Sequence, residues 1–430
     1  MKILIKGGRV IDPKSNFDDV VDIYIENGVI ADMERDLELE GLGIEEIDAG
    51  GMIVAPGLVD MHCHLRDPGQ EYKEDIESGT KSAAMGGFTS VACMPNTSPV
   101  IDNAQIIEYI KSKAAQVGAV NVYPIGAISK GLKGEELAEI GEMKFAGAVG
   151  ISDDGRPVTS SGLMRRAMEY AEMFDIAVIS HCEDMGLVND GSMNEGFMST
   201  YLGLKGINRA AEEVMVARDI IIAESTNTAV HIAHVSTRGS VELVRQAKKR
   251  GVRVTCETCP HYFTLTEKAC EGFNTNAKMN PPLRTEDDVE AIKEGLADGT
   301  IDAIATDHAP HHIDEKNCEF ARAMNGIVGF ETALGLAITY LVKPGVLTIQ
   351  ELLRKMSVNP ADILGLNKGN LGVGRCADIV IFNPEERYTV HTAELHSKSK
   401  NSPYDGWELY GKPQYTIVNG SIVVNQGVLL

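Results

Sequence analysis

Through the middle of the chain, short apolar runs recur at intervals, separated by longer stretches with helical periodicity. The apolar runs are residues 53–61, 89–94, 122–128, 147–152, 176–181, 229–234, 253–258 and 301–306. Stretches such as 102–116, 163–174, 240–250 and 287–298 lie between them and read as helices. Strands that alternate with helices build parallel sheets. Eight such βα units predict an α/β fold, a (β/α)8 TIM-type barrel, with its active site at the C-terminal ends of the strands. A doubly wound open sheet is the structural alternative.

The two ends of the chain have another texture. Ile3-Leu4-Ile5-Lys6-Gly7-Gly8 and Val20-Val21-Asp22-Ile23-Tyr24-Ile25 read as β segments, as do Ala377-Asp378-Ile379-Val380-Ile381-Phe382 and Thr416-Ile417-Val418. Asn27-Gly28 and Asn419-Gly420 mark hairpin turns between β-branched runs. The pattern predicts a small β-sandwich domain assembled from both termini, residues 1–54 and 372–430, flanking a barrel of residues 55–371.

The residues at or just beyond the strand ends change the picture from fold to chemistry. The first run ends at His62 and His64, with Arg66 beside them, and the second leads into Pro95-Asn96. The fourth leads into Asp153-Asp154-Gly155, the fifth ends at His181, the sixth at His234, and the eighth leads into Asp307-His308. One such histidine would read as structural. Four histidines and two or three aspartates at one barrel mouth predict a metal site. Imidazoles with a few carboxylates suit Zn²⁺, and six ligands exceed what one tetrahedral catalytic zinc takes. Two metals sharing a bridging group would use them all, which points to metal-assisted hydrolysis. Asp307 is placed to carry a proton between water and a leaving nitrogen. His231, His261, His308 and His312 read as structural.

Composition narrows the partners. Forty basic against 62 acidic residues leave a formal charge of −22, which argues against nucleic acid. An anionic substrate would have to be held by local groups such as Arg66 and bound metal. An apolar share of 43% and a charged share of 24% are ordinary for a soluble enzyme. No run approaches the ~18 apolar residues of a membrane span, and the start lacks a signal peptide's apolar core. A cytoplasmic protein without membrane partners is therefore expected. The eight cysteines show no zinc-ribbon spacing, and Cys256-Glu257-Thr258-Cys259 reads as buried thiols rather than a redox pair.

These motifs resemble the dihydroorotases of the amidohydrolase superfamily. Residues 60–68, Asp-Met-His-Cys-His-Leu-Arg-Asp-Pro, are similar to that family's first signature. Residues 305–316, from Ala305-Thr306-Asp307 through Ala309-Pro310-His311 to Lys316, match its second. Met94-Pro95-Asn96-Thr97, Ser180-His181-Cys182-Glu183, Asn280-Pro281-Pro282-Leu283-Arg284 and Gly326-Ile327-Val328-Gly329 add to the resemblance.

The resemblance implies reversible cyclisation of N-carbamoyl-L-aspartate to dihydroorotate in pyrimidine synthesis. In that picture His62 and His64 hold one zinc, His181 and His234 the second, and Asp154 bridges them. Asp307 is the general acid/base and touches the first metal. Arg66, Asn96 and His311, with His64 beside them, bind the substrate's carboxylate, and Asn280 with the backbone at Asn325-Gly326 binds its ring amides. A homo-oligomer and aspartate transcarbamoylase are the candidate protein partners. The loop through His311, His312 and Lys316 is a candidate lid.

The chain departs from the family's commoner pattern in three places. Asp153-Asp154 stands where many amidohydrolases carry a carbamylated lysine, which matches the subgroup that bridges with aspartate. Either aspartate could take that role by position. Met324-Asn325 replaces a usual aromatic, and Cys63 replaces an aliphatic and should face away from the metal. The rival readings are an allantoinase or hydantoinase, and a metal-free scaffold that has lost catalysis. The complete ligand set argues against the scaffold.

Overall fold

A computed structural model of the chain describes residues 2–39 and 43–430. Parallel strands Leu58–Cys63, Phe88–Cys93, Asn121–Gly126, Gly150–Ser152, Ala177–Ser180, Val230–Ile232, Val254–Thr258 and Ala303–Ile304 pair in chain order. The parallel bridge Cys63–His308 joins the last unit to the first. Across the same seam the Thr306 N–H donates to Asp60 Oδ1 at 3.0 Å. The result is the expected (β/α)8 barrel. Each predicted apolar run overlaps one of its strands. Strands buried on both faces read as continuous apolar runs, which is why they were visible.

Inside the bore, Met61, Ala92, Met94, Ile125, Ile179, Ala233, Ala303 and Ala305 pack with Leu364. The outer helices begin where the sequence offers a cap. Asn103, Ser160 and Thr237 accept from the backbone N–H three residues on, and Thr285 with Asp288 forms a capping box.

Two strand boundaries differ from expectation. The run 53–61 is two strands, not one. Ile53–Pro56 belongs to the small sheet, where it pairs with Ile379–Phe382 and Lys2–Asp12. Leu58–Cys63 begins the barrel. Gly57 between them lies so close to Thr89 that a Cβ would stand 2.2 Å from its side chain, and its N–H donates to Asp378 O. In the run 147–152, Gly147 takes φ +114° and ends the helix Ile140–Ala146. The strand starts only at Gly150.

The small sheet has nine strands. Lys2–Asp12, Phe17–Glu26, Val29–Glu34, Ile44–Asp48 and Ile53–Pro56 come from one end of the chain. Ile379–Phe382, Pro413–Val418, Ser421–Asn425 and Val428–Leu429 come from the other. Its own core includes Ile3, Ile5, Ile23, Ile25, Val54, Ile379, Ile381 and Ile417. Among the described residues no helix is long and apolar enough to cross a membrane.

Candidate active site

Each strand of the barrel ends at its mouth, and there the predicted polar residues meet. A cavity of about 260 Å³ opens at that end. His64, Arg66, Asn96, Asp154, His181, His234, Asn280, Asp307, His311, Asn325 and Gly326 line it, with Ala323 and Met324. His62 is the one predicted site residue absent from the lining. It lies beneath, with no exposed surface.

Asp154 is the hub of the cluster. Its Oδ1 stands 3.3 Å from His62 Nε2, 3.4 Å from His181 Nδ1 and 3.5 Å from His234 Nε2. Its Oδ2 stands 3.5 Å from His64 Nε2. Asp307 Oδ1 lies 3.1 Å from His64 Nε2 and 3.7 Å from His62 Nε2. Asp153, the other aspartate of the pair, points away from the histidines. It accepts from the N–H groups of Ile128 and Ser129 at 2.8 and 2.9 Å and from the Ser129 hydroxyl.

This donor set fits a divalent cation. His62 Nε2 and Asp154 Oδ1 are buried without a hydrogen-bond partner, a costly state for polar atoms unless something else binds them. His181 Nδ1 and His234 Nε2 face each other at only 2.7 Å. Burial lowers the basicity of His62, but Asp154 and Glu257 carry it well above the usual histidine value. For His181, burial is likewise outweighed by Asp154 and Glu183, which bring it to about 10. The cluster therefore draws positive charge. Burial opposes the ionised form of Asp307, yet the hydrogen bond from His64 and the charge on His62 hold it down to about 2. His64 itself is pushed down, by burial and by Arg66.

The remaining predicted residues form a polar wall. Arg66 is buried, donates from Nε to Pro310 O at 3.2 Å, and lies beside His311. Asn96 Oδ1 meets His64 Nδ1 at 2.9 Å. Burial, then the charges of Arg66, Lys73 and Lys316, keep His311 neutral. Its Nε2 is 2.8 Å from Asn325 O, so in this arrangement that N–H donates to the backbone. Asn280 Nδ2 donates to Glu183 Oε2 at 3.2 Å. The Gly326 N–H is engaged by Lys278 O, and its carbonyl by Lys316 and Asn401.

Two carboxylates that sequence reasoning left without a role sit directly behind ligand-type histidines. Glu183 Oε2 lies 3.2 Å from His181 Nε2, and Glu257 Oε1 lies 2.7 Å from His62 Nδ1. Cys63 Sγ is turned to Ala92 O, and Cys256 and Cys259 are buried and unpaired. His308 stacks on Phe330 with ring centroids 4.0 Å apart and accepts from the Gly329 N–H, away from the cluster.

Comparison with known proteins agrees with this geometry. A profile described as dihydro-orotase-like matches residues 51–240, and one of the amidohydrolase family matches residues 223–424. A dihydroorotase of Acetivibrio thermocellus is 66% identical over 428 residues, covering 100% of both chains. One of Ruminiclostridium cellulolyticum is 64% identical over 430 residues, again covering 100% of both. Among solved structures, an L-hydantoinase from Arthrobacter aurescens superposes with a TM-score of 0.90 at 27% identity, covering 100% of this chain and 97% of its own. With full-length relatives at such identity, the chain belongs to the dihydroorotase family of amidohydrolases, hydrolases that act on cyclic amides and use a divalent metal.

Proposed function

We propose that the chain interconverts N-carbamoyl-L-aspartate and (S)-dihydroorotate at this site, as a cytoplasmic zinc enzyme of pyrimidine synthesis. The observation that carries the reading is the meeting of four histidines and two aspartates beside a buried arginine. His62 and His64 would hold one ion, and His181 and His234 the other. Asp154 would lie between the two, with Asp307 against the first. The spread of Asp154 over all four histidines favours two ions over one. When bound, zinc lowers the pKa of water and polarises a carbonyl oxygen.

The chain's own residues supply the rest. Asp307, ionised at neutral pH, accepts a proton from water during ring opening and returns it to the departing ring nitrogen. Ring closure runs the same transfers backwards. The buried guanidinium of Arg66 keeps N–H groups free of its bond to Pro310 and offers them to the substrate's carboxylate. Asn96, oriented by His64, borders the same space. For His311 to join in, its N–H must exchange Asn325 O for the substrate.

Zinc content and dihydroorotate hydrolysis should be measured on one preparation, with hydantoin and allantoin as competing substrates. We expect stoichiometric zinc, turnover of dihydroorotate well above the other two, and loss of turnover on chelation. Comparable turnover of all three compounds would overturn the substrate assignment. Asp307→Ala should lower kcat on the order of 10²–10⁴-fold while metal stays bound. Full activity in that variant would remove Asp307 from the reaction.

A further inference from the structure

Below the proposed metal ligands a small polar group interrupts the apolar bore. Glu257, on the strand Val254–Thr258, has no exposed surface. Among the described residues its ionic partners are two imidazoles. His62 Nδ1 is 2.7 Å from Oε1, and His231 Nε2 is 3.3 Å from Oε2. Oε2 and His231 Nε2 are both buried, and at this separation neither completes a hydrogen bond to the other or to any other described residue. His231 Nδ1 in turn lies 2.8 Å from the Thr255 hydroxyl.

If space-filling were the whole task, an aliphatic side chain like those of Met61, Ile125 and Ile179 would do it without desolvating a charge. The hydrogen-bond inventory gives the carboxylate a different task. A histidine that offers Nε2 to a metal must carry its proton on Nδ1, and an ionised carboxylate can only accept. Oε1 therefore holds the proton on His62 Nδ1 and leaves Nε2 aimed at Asp154 Oδ1, 3.3 Å away. Oε2 asks for a proton on His231 Nε2, and the Thr255 hydroxyl can then donate to Nδ1. Similar acceptors stand behind two other histidines of the cluster: Asn96 Oδ1 behind His64 and Glu183 Oε2 behind His181.

We propose that Glu257 and His231 are a positioning pair that sets the tautomer and orientation of His62, and thereby the affinity of the metal site to which His62 contributes. The inference rests on reading His62 as a metal ligand. Partners of this kind change metal affinity by roughly 10–100-fold when removed.

Zinc affinity is measured by competition with a chromogenic chelator, on the full chain, for wild type, E257L, E257Q and H231Q. Expected is a 10–100-fold weakening in E257L. E257Q should lose less, because its amide oxygen can still accept from His62 Nδ1. A smaller loss is expected in H231Q, where Oε2 loses its partner. Nitrogen NMR of the metal-free wild type, at a pH high enough to leave His62 neutral, should show its proton on Nδ1, and E257L should mix the tautomers. Denaturant unfolding of the metal-free proteins separates positioning from packing, since a packing residue would change stability and leave zinc affinity alone. If E257L does not fold, H231Q decides. Folded variants that bind zinc within twofold of wild type overturn the proposal. A wild type that binds no stoichiometric zinc overturns the metal reading itself, and this inference with it.

Discussion

Arg66, His234 and Asp307 share a backbone trait, with φ of +60°, +34° and +46°. Side chains with a Cβ avoid this left-handed region, and holding one there costs about 1–3 kcal/mol. All three line the same cavity, so the strained turns are concentrated where side chains must be aimed inward from the strand ends. Arg66→Lys keeps the charge but loses the planar fork. We expect KM for a carboxylate substrate to rise ~10–100-fold, matching the loss of a charged hydrogen bond or two, with a smaller change in kcat. Steady-state kinetics check this, and an unchanged KM would separate Arg66 from the substrate's carboxylate. At this scale the clustering of the predicted residues was largely legible, because they fall at or just past strand ends that apolar runs locate. Glu257 and Glu183 were not. Glu257 meets His62 from 195 residues away, and in sequence it is only the inner residue of a Cys-x-x-Cys. No periodicity announces an acceptor whose partner is chosen by barrel closure.

At the scale of elements, the stretch after Asp307 is fastened rather than loose. Lys316 is 2% exposed and donates to Met324 O at 2.8 Å and Gly326 O at 3.0 Å. Lys278 holds Ala321 O and Ala323 O at 3.0 and 2.7 Å. Two lysines thus clamp the segment that forms one wall of the cavity. Burial, with the charge of Lys278, lowers Lys316 to about 7 from 10.5. Between those values the unfolded chain binds the extra proton, so this group makes stability rise with pH across that window, by at most ~1.4 kcal/mol per pH unit. Denaturant unfolding at pH 7 and 9 should show a steeper gain for wild type than for Lys316→Met. Equal slopes would mean that Lys316 does not titrate there. Gly57→Ala should cost about 1–3 kcal/mol by overpacking against Thr89, read as a lower denaturant midpoint. The helix Ala210–Thr226 has a weakly marked apolar face. Its buried face carries Glu212 and Asp219, which blur the apolar stripe. Both are matched by partners from elsewhere, Ser236 for Glu212 and Ser180 for Asp219.

For the whole molecule, the two-part architecture was legible because the termini and the middle differ in period, two against 3.6. The crossing point was not read, although Pro56-Gly57 punctuates the apolar stretch 53–59 at that place. If the proposed ligands hold metal, binding should couple to global stability, since those residues sit at the ends of strands all round the barrel. Zinc at 100 times its dissociation constant adds about 2.7 kcal/mol per site. Thermal unfolding should therefore show Tm falling after chelation and rising with free zinc, while the far-UV spectrum of the metal-free protein keeps its native shape. A Tm independent of zinc would place the cluster outside the fold's energetics.

The passage from small sheet to barrel at Gly57 also sets an order of events during synthesis. The strand Ile53–Pro56 emerges early, yet its antiparallel neighbour Ile379–Phe382 is made only after the entire barrel. Until then one edge of the N-terminal strands stands open, a template for stray pairing. His62 and His64 follow that open edge by a few residues. The ends of the chain can complete their sheet only after the whole barrel has been synthesised, so the last strands to be made close the part that was made first.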